Sequence, residues 1–153
     1  MRIAIGSDHA GYALKQEIIA FLKDKGHRVY DAGPYSAEFC DYPDYAIAVA
    51  QMVANKEAEL GILICGTGLG MGIVANKING IRAAVCHDAY TARMSRAHND
   101  ANVLCIGARV IGSGVALDVV QVFLETKFSG AERHRRRIAK ITALEEARTP
   151  SRN

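Results

Sequence analysis

Five short apolar runs alternate with stretches of helical periodicity, and this alternation constrains the fold of the 153-residue chain more than any other feature. The runs are Ile3–Ile5, Val29–Tyr30, Ile62–Ile64, Ala83–Cys86 and Val103–Ile106, each bounded by Gly, Asp or His and each a candidate buried strand. Between the first two, Tyr12–Lys25 repeats Leu14, Ile18, Ile19, Phe21 and Leu22 at helical spacing. It stops at Gly26, the residue type that most easily takes the left-handed turn closing a helix. Tyr45–Ala54, Ala89–Ala97, Val115–Thr126 and Arg137–Ala147 also read as helices, and a short one is expected after the glycines at 66–72. Repeated strand–helix alternation demands right-handed crossovers. The expected fold is therefore α/β: a three-layer αβα sandwich with a five-stranded parallel sheet, plus a C-terminal helix. Its length suits one domain over residues 1–148, followed by a polar tail at 149–153.

Composition narrows the class further. The N-terminus, MRIAIGSDHAG, turns polar after five residues, so it reads as neither a signal peptide nor a membrane span. A cytoplasmic protein with four free thiols is the expectation. No cysteine lies in a CxxC pair, so spacing argues against a zinc site or a redox dithiol. Positive charge is concentrated at Arg133, Arg135, Arg136 and Arg137, which points to an anionic partner rather than a generally basic surface.

In open parallel sheets, ligands bind beyond the carboxyl ends of the strands, where the strand order reverses. The common order 2-1-3-4-5 would put that crevice between the first and third strands. The first strand empties into Ser7-Asp8-His9, and the third into Cys65 followed by Gly66, Gly68, Gly70 and Gly72. Glycines let backbone N–H groups approach a ligand unobstructed, and a following helix adds partial positive charge. Such a nest suits a phosphate or a developing oxyanion; a tight strand-to-helix turn is the plainer reading. A nucleotide site competes, because Asp88 lies where a ribose-binding acid belongs. GxGxxG nevertheless fails from every starting glycine, meeting Met71, Ile73 or Ala75, and Lys77 has neither the glycine nor the Ser/Thr of a P-loop.

Cys65 is then a thiol inside an electropositive nest, an environment that favours the thiolate and makes it a nucleophile or a base. Cys40, Cys86 and Cys105 read instead as small buried hydrophobes. Asp8 and His9 sit where a helix N-cap belongs, a role that accounts for Asp8 but not for His9. His98 precedes Asn99 and Asp100 at a helix end, where complementing the helix dipole is the simple explanation. Arg133 and Arg137 share one helical face with Arg136 close by. That face is either solvated or a fork of guanidiniums on a phosphate. Nucleic acid fits poorly, since no aromatic residue is interleaved for stacking.

Together these residues resemble the B-type ribose-5-phosphate isomerases, a family that also includes allose- and galactose-6-phosphate isomerases. The resemblance is carried by Ser-Asp-His-Ala-Gly after the first strand, Asp41-Tyr42-Pro43, ICGTGLGMGIVANK, Gly80-Ile81-Arg82-Ala83 and Ser95-Arg96-Ala97-His98-Asn99-Asp100-Ala101-Asn102. It runs in order from residue 1 to about residue 147. It implies a flavodoxin-like sandwich and aldose–ketose isomerisation of a phosphosugar without metal or cofactor. The reaction implied is ribose 5-phosphate to ribulose 5-phosphate in the pentose phosphate pathway, with six-carbon phosphates as the alternative. No nucleic-acid or membrane partner is implied. Sites shared across a homodimer are, and pairing into tetramers is left open.

The resemblance also assigns roles. Cys65 would remove the C2 proton, and the amides of Gly66, Thr67, Gly68, Leu69 and Gly70 would hold the enediolate. Thr67 would hydrogen-bond a substrate oxygen. Asp8 and His98 would open the sugar ring, with His98 as proton donor. His9, Arg109, Arg133 and Arg137 would bind the phosphate, and Asn99 would orient hydroxyls. One branch of the family places its base on a glutamate where this chain has Met71, so the chain resembles the cysteine branch. It departs from the family's frequent Gly-Gly-Arg-His by reading Gly130-Ala131-Glu132-Arg133-His134. The non-catalytic alternative is a binding module for a nucleotide or phosphorylated effector.

Overall fold

A computed structural model describes residues 1–148; the polar tail expected at 149–153 lies outside the described residues. The strands are β1 (Arg2–Ser7), β2 (Arg28–Asp31), β3 (Leu60–Cys65), β4 (Ala83–Val85) and β5 (Val103–Gly107). The helices are α1 (Tyr12–Asp24), α2 (Tyr42–Ala54), α3 (Leu69–Ala75), α4 (Ala89–Asn99), α5 (Ser113–Glu125) and α6 (Glu132–Arg148). Every expected strand and helix is present. Helix α2 starts three residues before the expected Tyr45, with Pro43 in its first turn, where the missing N–H costs nothing. Helix α6 starts at Glu132, so Arg133 and Arg137 both belong to it.

The five strands are parallel but run β2-β1-β3-β5-β4, exchanging the last two strands of the expected order. Burial explains the exchange. A central parallel strand is covered on both faces and needs apolar side chains on each. Val-Leu-Cys-Ile-Gly of β5 is buried throughout, whereas Ala-Ala-Val of β4 is three residues long and half-buried, a short edge strand. The crevice survives the exchange, because β1 still pairs with β3 and their crossovers still depart in opposite directions.

Alternate residues of each strand supply two cores. Ile3, Ile5, Ile62, Ile64, Leu104 and Ile106 pack under α1, α4 and α5. Ala4, Leu63, Cys65, Val103 and Cys105 face α2 and α3. The right-handed crossover rule requires this division of α1 and α4 from α2 and α3 once the order is β2-β1-β3-β5-β4. Cys65 thus points toward α2 and α3 from the end of a strand held on both sides. On the other face of β1, the fully buried Lys15 donates from Nζ to Asp31 Oδ1 and to the Pro34 carbonyl, each at 2.6 Å. That ion pair ties α1 to the start of the loop between β2 and α2.

Candidate active site

The carboxyl ends of β1 and β3 are knit together by backbone. Asp8 donates its amide to the Ile64 carbonyl at 3.1 Å, and its Oδ1 accepts the amide of Gly11 at 3.1 Å. The N-cap of α1 is Gly11 itself, not Asp8 or His9 as expected from sequence. A side chain at Gly11 is excluded, since a Cβ there would lie 2.5 Å from the Ile64 oxygen. His9 leans on Phe39, ring centroids 4.7 Å apart, with Nδ1 at 3.3 Å from the Cys40 carbonyl and 3.4 Å from the Cys40 amide. Cys40 is therefore not a core hydrophobe: it is half-buried in a loop that packs on a crevice histidine. Cys86 and Cys105 are buried as expected, and burial pushes both thiols above the ordinary range.

Cys65 closes β3 with only 5% of its surface exposed, and its Sγ accepts the Gly68 amide at 3.1 Å. Gly68 has φ +77°, the left-handed turn that begins α3. Leu69 donates its amide to Thr67 Oγ1 at 3.3 Å. Among the described residues, the amides of Gly66, Thr67 and Gly70 donate to no protein acceptor. The glycines therefore divide by purpose. At Gly66 a Cβ would make only ordinary contact with the Arg109 side chain at 3.5 Å, so that backbone is open to a ligand. At Gly70 and Gly72 it would lie 2.7 Å from the Tyr42 ring and 2.9 Å from Val85; these two glycines serve packing. Met71 is wholly buried in the α2–α3 core. Arg109 donates its amide to the Gly66 carbonyl at 3.0 Å, which sets its side chain against the loop.

Asp88 caps α4, its Oδ1 accepting the Thr91 amide at 2.7 Å and its Oδ2 the Thr91 hydroxyl at 3.0 Å. Asp88 thus has a local structural role as the N-cap of α4. Next to it, His87 Nε2 accepts the Gly107 amide at 2.9 Å, a contact from the loop after β4 to the end of β5 that sequence reading missed. Among the described residues no three His, Cys, Asp or Glu side chains could hold a metal ion, and no helix is long and apolar enough to cross a membrane.

The remaining candidate residues lie elsewhere. Helix α4 leaves the carboxyl end of β4 and returns to the amino end of β5, so its last turn, with His98 and Asn99, sits at the opposite end of the sheet from Cys65. Eleven residues of helix span about 16 Å. Arg82, just ahead of β4, fixes that end by donating from Nε to the carbonyls of Asn99 and Asp100 at 2.8 and 3.1 Å. His98 stacks on His134 of α6, with centroids 4.3 Å apart and planes 12° from parallel. Arg133 and Arg137 flank His134 and are exposed. One chain thus brings Asp8, His9, Cys65, the 66–70 loop and Arg109 to one end of the sheet, and His98, Asn99, Arg133 and Arg137 to the other. His134 was not singled out from sequence, being one polar residue in an arginine run.

The family model described as Ribose/Galactose Isomerase matches residues 3–141. The chain is 50% identical over 147 residues to ribose-5-phosphate isomerase B of Escherichia coli (strain K12), covering 96% of this chain and 98% of that one. Among solved structures, ribose-5-phosphate isomerase B of Clostridium thermocellum superposes with a TM-score of 0.96 at 52% identity, covering 97% of this chain and 100% of that one. The Mycoplasma genitalium ribose-5-phosphate isomerase B, solved with bound ribulose-5-phosphate, gives a TM-score of 0.90 at 44% identity, with 95% and 96% covered.

Proposed function

The chain belongs to the Ribose/Galactose Isomerase family and isomerises ribose 5-phosphate to ribulose 5-phosphate, and we propose that it does so through an enediolate with Cys65 as the base. The observation that supports this base is the Sγ of Cys65 at a strand end, accepting the Gly68 amide beside three amides with no acceptor among the described residues. Proton transfer between adjacent carbons needs one base within reach of both and donors fixed where the charge appears. In the ring-opening step His98 protonates the ring oxygen as Asp8 takes the proton of the C1 hydroxyl, leaving the open aldehyde. Cys65 then removes the C2 proton. The electron pair moves to the C1 oxygen, where the amides of Gly66, Thr67 and Gly70 stabilise it. The proton of the C2 hydroxyl passes to the C1 oxygen and the abstracted proton returns to C1, which yields the ketose. His9, Arg109, Arg133 and Arg137 grip the phosphate, Thr67 bonds a substrate oxygen and Asn99 orients hydroxyls.

These groups cannot meet within one chain, because α4 carries His98 to the far end of the sheet. We therefore infer a homodimer in which each site takes Cys65 and its loop from one subunit and the His98–Arg137 face from the other. A cytoplasmic location is inferred on separate grounds: all four cysteines are free, as a reducing compartment keeps them.

The test is an isomerase assay on purified protein with ribose 5-, allose 6- and galactose 6-phosphates. The highest kcat/KM is expected for ribose 5-phosphate. A higher value for either six-carbon substrate would overturn the five-carbon assignment.

A further inference from the structure

We propose that His134 is a positioning residue for ring opening: its buried ring backs the imidazole of His98 and leaves the transferable proton on His98. This rests on the reading of His98 as proton donor. The two rings are stacked face to face, 4.3 Å between centroids and 12° from parallel, so each defines the plane of the other. They differ in surroundings. His134 is 4% exposed, and its Nε2 has no hydrogen-bond partner among the described residues, whereas His98 is half-buried. A buried imidazolium with an unbonded N–H is far costlier than a neutral ring with an unbonded nitrogen.

The helix ends reinforce the difference. His98 lies in the last turn of α4, where unsatisfied carbonyls favour a cation. His134 lies in the first turn of α6, where the unsatisfied amides oppose one. The charged and titratable groups facing His134 are all potentially cationic: His98 from α4, and Arg133 and Arg137 from its own helix. Desolvation first, then these charges, hold His134 below the ordinary histidine range. His134 is therefore the neutral member of the stack. Its ring, beneath that of His98, fixes the direction in which the His98 proton is delivered.

Ring opening can be isolated from proton transfer at carbon. Ribulose 5-phosphate has its C5 oxygen esterified and cannot close a five-membered ring through C2, so exchange of its C1 hydrogen with solvent needs no ring chemistry. His134→Ala is expected to lower kcat/KM on ribose 5-phosphate by about tenfold or more through misplacement of the donor, while C1 exchange on ribulose 5-phosphate stays within about twofold. His134→Phe keeps a flat neutral ring and is expected to recover most of the forward rate. Equal loss in both assays, no loss in either, or no recovery with Phe would overturn the proposal. His98→Ala serves as the reference. If it leaves the ratio of the two assays unchanged, the reading of His98 itself fails; if it shifts the ratio and His134→Ala does not, only the role of His134 fails. Should His134→Ala not fold, the wild-type enzyme decides by nitrogen-resolved NMR titration: the His134 ring is expected to stay neutral at the pH of the assay, and a charged His134 there would sink the proposal.

Discussion

The Gly68 amide reaches the Cys65 Sγ across 3.1 Å only because Gly68 adopts φ +77°. That left-handed turn folds the chain back over the end of β3 and then releases it into α3. A sulfur that accepts an amide at a strand end is held in one place.

Removal of the thiol is the direct test of its role. Cys65→Ala should lower turnover of ribose 5-phosphate by about 10²–10⁴-fold, the usual contribution of a positioned base. Binding of ribose 5-phosphate, read by calorimetry, should persist, because the phosphate ligands and loop amides remain. Near-normal turnover in this variant would remove Cys65 from the mechanism.

The glycines of the loop should separate by assay. Gly68→Ala forces a side chain into the left-handed region and sets its Cβ 3.0 Å from the Ile106 backbone, with no flexible neighbour to yield. A cost of about 2 kcal/mol or more is expected. In a chain of this size that is a fall in Tm on the order of 5–8 °C. Gly66→Ala meets only Arg109 at 3.5 Å and should leave Tm nearly unchanged while lowering kcat, since its Cβ would crowd the amides that face the substrate. Thermal melts beside steady-state kinetics distinguish the two. A matching Tm loss at Gly66 would contradict an open approach there.

These contrasts mark where sequence is informative. The alternation of apolar runs and helical periods dictates the layers, and Ser7-Asp8-His9 with Cys65-Gly66 locates the crevice, because both depend on local pattern and on crossover handedness. Strand order beyond β3 depends on which of two short strands can be covered on both faces. Local periodicity does not carry that comparison. Whether a glycine serves a ligand or a neighbour is equally nonlocal: Gly70 and Gly72 are required by Tyr42 and Val85, distant in the chain. His134 is buried by contact with α4 rather than by any property of its own arginine-rich helix, so its neighbourhood in sequence gave no sign of it.

Asp88 gives a pH-dependent contribution to stability. Its carboxylate is held below the ordinary aspartate value of 3.8, chiefly by the Thr91 amide and then by the Thr91 hydroxyl. A depressed folded-state value means that the unfolded chain binds the proton first. The stabilisation is thus fully present above 3.8 and drains away as pH falls through the lowered value. Asp88→Asn keeps an acceptor for the amide but carries no charge. The advantage in Tm of wild type over this variant should hold from neutral pH down to the ordinary aspartate range and close as pH approaches about 2. An advantage unchanged across that acid range would show that the charge on the cap contributes nothing.

Sharing of sites between subunits makes a quantitative prediction by complementation. Cys65→Ala and Arg137→Ala each remove one half of every site in their own homodimers, so both proteins should be nearly inactive. Subunit exchange between equal amounts gives heterodimers as about half of all dimers, by random pairing of like interfaces. With the sites shared as proposed, each heterodimer has one site with both substitutions and one with neither, because Cys65 and Arg137 of any one site would come from different chains. The mixture should therefore recover about one quarter of wild-type activity, with sedimentation reporting dimers throughout. Sites built within a single chain would give no recovery at any mixing ratio, and an active monomer in the sedimentation profile would contradict the shared arrangement independently.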